Sequence, residues 1–249
     1  MRVYWINLDR RPDRRALMEP RLAGFDHERV AAVDGASLPT TTGPLSLYER
    51  ACLESHREAW RRFLATDASC ACVLEDDLRL SPGFAAFVAT DSWFPAKAHV
   101  VKLDTVLQEV MLDDGGFHFS GRVLRRLRTH HESGGAYVLG REGAERFLAL
   151  GEAADTPVDY VLFPRDPAWR GVNAFQVTPA VAIQEEFLDD ATASVARSSI
   201  QRLTTKRRRS LSAKLRREVG RIGRDAGRAA VNAYRRHALG LEPTVVRYE

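Results

Sequence analysis

Cys70-Ala71-Cys72-Val73-Leu74-Glu75-Asp76-Asp77 is a short apolar run that ends in three consecutive carboxylates. Such an uninterrupted run suits a strand buried on both faces, as in a parallel sheet covered by helices. Ligands of open α/β sheets collect at the carboxyl ends of strands, so this strand should deliver Glu75, Asp76 and Asp77 to the edge of a cleft. In an extended chain, alternation sends Glu75 and Asp77 to one side and Asp76 to the other. The pair then offers hard oxygen donors to Mg²⁺ or Mn²⁺; the alternative is a solvated acidic turn.

The flanking sequence alternates strands and helices. Residues 3–8 read as a strand that stops at Asp9-Arg10-Arg11-Pro12, where Pro12 suits the first turn of a helix and Pro20 should kink or end it. Ser46 and Glu49 form a capping-box pattern, after which Cys52, His56, Ala59, Trp60 and Phe63 recur at helical spacing. Residues 100–103, 136–139 and 174–177 read as further strands, and 141–150 as a helix. The predicted class is a layered α/β sheet, without internal repeats.

Composition sets the bounds. The chain has 249 residues, 45% apolar and 28% charged, which argues against wholesale disorder, a collagen-like repeat or a transmembrane bundle. No apolar run approaches the roughly 18–20 residues of a spanning helix, and the first residues lack the apolar stretch of a signal peptide. A soluble or peripheral protein is expected. Three cysteines are too few for a disulfide framework, and Cys70-x-Cys72 lacks the second pair of a zinc site, so a cytoplasmic home is the simplest reading.

The net charge of +4 hides a division. Residues 197–249 carry fifteen Lys/Arg against four acids, a net of +11, and leave −7 for residues 1–196. The chain is therefore read as a body, 1–196, and a basic helical C-terminal extension, 197–249. Leu211, Leu215, Val219, Ile222, Ala226, Ala229 and Ala233 follow helical steps with most of the basic residues elsewhere on the wheel. Such a helix is drawn to an anionic membrane surface; the alternative is a helix packed on its own body or on a second subunit. Nucleic acid is not expected, because only Tyr234 offers an aromatic face nearby.

Several ordered blocks carry a resemblance: residues 3–14 (Val-Tyr-Trp-Ile-Asn-Leu-Asp-Arg-Arg-Pro-Asp-Arg), Ala32-Val33-Asp34-Gly35, Glu49 through Cys52 to Ser55-His56 with Trp60, and Leu74-Glu75-Asp76-Asp77. Lys102-Leu103, residues 135–139 with Ala144, and Pro157-Val158-Asp159 follow. Over roughly residues 1–187 the chain resembles glycosyltransferase family 25, the lipooligosaccharide and lipopolysaccharide galactosyltransferase group that includes the collagen β-galactosyltransferases. One departure is visible, since Tyr48 and Ala51 stand where the family tends to have glycines.

The resemblance implies a GT-A-like (Rossmann-like) nucleotide-sugar-binding fold and an enzyme that transfers a hexose, usually galactose, from a UDP-sugar to a saccharide acceptor with inversion. Metal dependence fits that chemistry: Mn²⁺ or Mg²⁺ held by Glu75 and Asp77 would neutralise the departing diphosphate. Donor binding falls to Asn7, Leu8, Arg10, Arg11, Arg14, Asp76 and Lys102. The arginines would grip a diphosphate or ribose and Asn7 would read a uracil or ribose edge; otherwise the group is a solvated helix start. The base expected to deprotonate the acceptor is Asp159, at the start of a helix, with Asp104 as its rival or as a donor-sugar contact. His56 is either a hydrogen-bonded core histidine or an active-site residue beside Ser55. A lipid-linked acceptor would place the protein at the inner face of the cell membrane. Two other readings stand beside this one: a non-catalytic nucleotide-sugar or carbohydrate-binding protein, and a polyanion-binding protein acting through its basic tail.

Overall fold

The computed structural model describes residues 1–39, 43–152, 156–165, 171–188 and 239–249. Its centre is a nine-stranded mixed sheet. The first strand is β1 (Val3–Asn7); helix α1 (Pro12–Leu22) leads to β2 (His27–Ala31), and α2 (Leu47–Leu64) leads to β3 (Cys70–Glu75). Both β2 and β3 run parallel to β1, one on each side. After the short β4 (Leu78–Leu80) and α3 (Phe84–Ala89) come β5 (Val100–Lys102), β6 (Asp104–Thr105), β7 (Glu109–Phe119) and β8 (Arg122–Leu127). The chain continues through β9 (Ala136–Gly140), α4 (Arg141–Glu152), α5 (Val158–Leu162), β10 (Ala174–Thr178) and β11 (Ala182–Gln184) to β12 (Leu241–Val245). The large sheet has the order β12-β7-β8-β10-β5-β9-β3-β1-β2, and β4-β11-β6 form a second, small sheet.

Alternation within the strands builds two cores. Tyr4, Ile6, Ala71 and Val73 face one side with Trp60 and Phe63 of α2 and Phe147 of α4. Val3, Trp5, Cys72 and Leu74 face the other with Met18 and Leu22 of α1 and Phe84 and Phe87 of α3. Helices cover both faces, which is why β1 and the apolar part of β3 are fully buried and read as continuous apolar runs. Because β1 leads by way of α1 to β2 on one side, and β2 leads by way of α2 to β3 on the other, the strand order switches direction at β1. A crevice opens at the carboxyl ends of β1 and β3, where such folds place their ligands.

The predicted elements appear with small shifts. Ser46 caps α2 with a complete capping box. Helix α1 runs past Pro20 to Leu22, because a proline this near the end costs few backbone bonds. Glycine is required where α4 meets β5: a Cβ on Gly143 would lie 2.2 Å from the His99 carbonyl oxygen. The β7–β8 hairpin turns on Ser120 and Gly121, with φ of 48° and 73°.

The C-terminal extension is described only at its end. Its amphipathic stretch lies outside the described residues. Its end does not stand apart from the body: β12 pairs antiparallel with β7, Ala180 bridges to Tyr248, and Val246 is buried in the core. No helix among the described residues is long and apolar enough to cross a membrane.

Candidate functional site

The adjacent parallel strands β1 and β3 end together, with Ile6 in register with Glu75. The residues that follow therefore meet: Asn7 Nδ2 donates to Asp76 Oδ2 at 2.6 Å, and Arg14 Nη1, from the first turns of α1, donates to Asp76 Oδ1 at 2.7 Å. Arg14 Nη1 also lies 3.4 Å from Asp77 Oδ2. Asp76 and Asp77 form a turn and not an extended strand; Arg14 reaches both of them, while Glu75 and Asp77 share a second partner that Asp76 does not contact.

That partner is Gln184. Strand β11 pairs with β4 so that Gln184 sits opposite Leu78, and its Nε2 donates to Glu75 Oε2 at 3.1 Å and Asp77 Oδ1 at 3.4 Å. Burial and then the charge of Glu75 push the Asp77 carboxyl up to about 8, against the pull of Arg14. Burial also opposes ionisation of Glu75, but the His56 hydrogen bond and nearby positive charge hold it below the usual value. Two oxygen donors that repel one another across a shared amide fit a hard divalent cation, which would cancel the repulsion and leave room for substrate oxygens.

Two connected hollows meet there. The larger, about 700 Å³, is lined by Glu49, Glu132, Ser133, Asp159 and Phe187 among others; the smaller, about 170 Å³, by Leu8, Arg10, Arg14, Asp76 and Asp77 among others. Cys52, Glu75 and Gln184 border both. The described lining of the large hollow bears acids and no Lys or Arg, which suits a polyhydroxyl ligand. The arginines belong to the small hollow, which suits a phosphate.

Asp159, in the first turn of α5, faces the large hollow. Its Oδ1 accepts from the Tyr160 amide at 3.0 Å, and Oδ2 lies 3.7 Å from His130 Nε2. Burial raises its proton affinity, opposed by His130. His130 is stacked on Tyr160 and donates from Nδ1 to the Phe163 carbonyl at 2.5 Å. Sequence reading passed over His130 and Gln184, since each reaches the site through tertiary packing and belongs to no local motif.

Several expectations are corrected by position. Asp104 and Lys102 are fully buried as a 2.9 Å ion pair. Asp104 also accepts from Ser133 Oγ and the Ala136 amide, and Lys102 Nζ donates to the Ser133 carbonyl. The pair is absent from the described lining of both hollows and meets them only through Ser133. Asn7 is buried and committed to Asp76, the Arg11 carbonyl and Arg29, leaving no edge for a base or ribose. Arg11 points to Asp13, while Arg10, paired with Asp34 at 2.6 Å, is half exposed at the rim of the small hollow. Ser55 Oγ donates to the Ala51 carbonyl and accepts from the Val33 amide. His56 is fully buried between Tyr137 and Glu75, and thus belongs to both the core and the site.

The family model described as glycosyltransferase family 25 (LPS biosynthesis protein) matches residues 1–162. The lacto-N-neotetraose biosynthesis glycosyltransferase LgtB of Neisseria meningitidis serogroup A is 30% identical over 151 residues, covering 57% of this chain and 54% of that protein. A glycosyltransferase 25 family member of Anopheles gambiae is 33% identical over 102 residues, covering 33% of this chain and 17% of that protein. The chain thus spans about half the length of the bacterial relative. Among solved structures, a glycosyltransferase involved in glycosylation of the major capsid of PBCV-1 aligns with a TM-score of 0.42 and 11% identity, over 78% of this chain and 96% of that one.

Proposed function

Since the chain belongs to glycosyltransferase family 25, with the α/β, GT-A-like fold expected of it, we propose that it transfers a hexose, most simply galactose, from a UDP-sugar to a saccharide acceptor in lipooligosaccharide or lipopolysaccharide synthesis. The observation that carries this reading is the placement of Glu75 and Asp77 around one amide where a phosphate-suited hollow joins an acidic, polyhydroxyl-suited one.

Asp159 takes the acceptor hydroxyl proton as that oxygen bonds to the anomeric carbon. The bond from that carbon to the diphosphate oxygen breaks with its electron pair, so one displacement inverts the centre. Glu75 and Asp77 would hold Mn²⁺ or Mg²⁺, whose Lewis acidity would offset charge on the leaving diphosphate. Arg10 at the rim adds charge to the same group, and Arg14 keeps Asp76 and Asp77 in place beneath it. The acceptor would be brought near by attraction of residues 197–249 to the anionic inner face of the membrane, which is also the proposed location of the protein.

The test is a panel of nucleotide sugars scored for nucleoside diphosphate release with Mn²⁺ or Mg²⁺ and with chelator, with and without a terminal-sugar acceptor. Cation-dependent release favouring a UDP-hexose is expected. Donor binding without release for any sugar would leave the non-catalytic binding protein as the better reading.

A further inference from the structure

Cys52, His56 and Glu75 bring their ligand-type atoms within 4.8 Å of one another, which on spacing alone suggests a site for a thiophilic metal. The hydrogen bonds behind the cluster decide otherwise. Trp60 Nε1 lies 2.7 Å from the Tyr137 hydroxyl, and an indole nitrogen only donates, so the Tyr137 oxygen is an acceptor there. Tyr137 is fully buried, and burial pushes its phenol well above the ordinary value, so it keeps its proton. The remaining partner in reach is His56 Nδ1 at 2.8 Å, which must then accept. The His56 proton is thereby assigned to Nε2, which points at Glu75 Oε1 at 3.3 Å.

We infer that Tyr137 is a positioning residue for the cleft: with Trp60 behind it, it fixes the His56 tautomer, and His56 in turn anchors Oε1 of Glu75 so that Oε2 is presented beside Asp77. Cys52 Sγ lies 3.8 Å from the same Oε1, a second donor to the anchored oxygen. Oε2 instead meets, among the described residues, the exchangeable amide of Gln184 at 3.1 Å. The two oxygens of Glu75 thus have different duties, and a metal on His56 Nε2 would have to displace a proton that the whole chain of donors maintains.

The inference rests on the proposed role of Glu75 as a cation ligand, and its test separates the two. Imidazole nitrogen–proton correlation by NMR reads the His56 tautomer in the wild type and in Tyr137→Phe, and the Mn²⁺ dependence of donor turnover is measured in both. The wild type should carry its proton on Nε2. Tyr137→Phe should give a mixed or reversed tautomer and raise the Mn²⁺ concentration for half-maximal turnover about tenfold or more, the usual reach of a residue one shell behind a metal ligand. A wild-type proton on Nδ1, or a Tyr137→Phe protein with unchanged tautomer and unchanged Mn²⁺ dependence, overturns the inference. If turnover proves independent of any divalent cation, the functional reading of Glu75 fails, and the tautomer measurement alone then decides the role of Tyr137. Should Tyr137→Phe not fold, Trp60→Phe, which removes the donor to the Tyr137 oxygen and so lets that oxygen accept from His56 Nδ1 instead, is read by the same two measurements and the same outcomes.

Discussion

Asn7 and Asp76 join the carboxyl ends of two adjacent parallel strands through a single 2.6 Å hydrogen bond between their buried side chains. The bond ties the opening strand to the acidic turn, and Arg14 completes it from the following helix. Asn7→Ala leaves one carboxylate oxygen short of a donor and opens a small void. A loss of about 1–3 kcal/mol in unfolding free energy is expected, measurable by urea denaturation. Preference among nucleotide donors should stay as it was, because Asn7 has no free edge. A variant of wild-type stability with altered nucleotide preference would return Asn7 to the role of a base reader.

The burial of Asp77, with the charge of Glu75 beside it, has a consequence for stability. Its folded-state value of about 8 lies far above that of an unfolded aspartate near 4. The native state therefore holds a proton that the unfolded chain has released, and stability of the cation-free protein falls as pH rises from about 4 to about 8. Asp77→Asn abolishes that dependence. Its melting temperature in chelator should exceed that of the wild type above pH 8, while transfer activity is lost. Equal melting temperatures across this range would show that the two carboxylates do not oppose each other.

A divalent cation held as proposed would require the ionised form of the Glu75–Asp77 pair, so Mn²⁺ affinity should rise as pH increases toward about 8, with protons released on binding. Calorimetry in buffers of different ionisation enthalpy counts those protons. Gln184→Leu, which removes the shared amide, should flatten neither effect but should change the affinity itself. Proton-free binding would mean that the cation sits elsewhere.

Asp159→Asn keeps the shape and loses the basicity. Turnover number should fall by about a hundredfold to ten-thousandfold, with donor KM nearly unchanged. In the wild type the acidic limb of the turnover profile should lie above the usual carboxylate range, since burial raises the proton affinity of Asp159. That limb should vanish in the variant. A nearly silent Asp159→Asn would sink the assignment, and Asp104 could not replace it, because Asp104 is sealed against Lys102. Asp104→Ala should instead cost about 3–5 kcal/mol by stranding a buried ammonium.

The parts legible in sequence were those with local causes. The apolar 70–74 run, the Ser46–Glu49 cap and the Pro12 helix start each carry their own physics within a few residues, and each lies where expected. Glu75 and Asp77 were readable because a buried strand has to end somewhere and a cleft opens at that end. Gln184 was not, because its arrival depends on a three-residue strand pairing across more than a hundred positions of chain. Asn7, Lys102 and Asp104 were expected to meet ligand, and their burial among protein partners was not legible, because polar residues at strand ends look alike until their partners are known. Strand β12 was hidden by the high basic charge of the residues before it.

That hidden strand changes how the basic segment should be tested. Removing residues 197–249 would strip β12 from the sheet edge and Val246 from the core, so lost activity would report unfolding as readily as lost membrane contact. Neutralisation avoids this. Lys206, Arg207, Arg208, Arg209, Lys214, Arg216 and Arg217, replaced together by Gln, remove seven charges and leave residues 239–249 intact. Each basic group near an anionic surface contributes about 1 kcal/mol, so the variant should separate from anionic vesicles while the unaltered chain sediments with them and lets go as salt rises. Neither protein should bind neutral vesicles, and both should turn over a short soluble acceptor at the same rate, since every residue of the described cleft lining is left unaltered. Equal retention on anionic vesicles would remove the membrane from the proposal. Loss of nucleic-acid affinity in the variant, with vesicle binding absent from both proteins, would transfer the segment to a different polyanion.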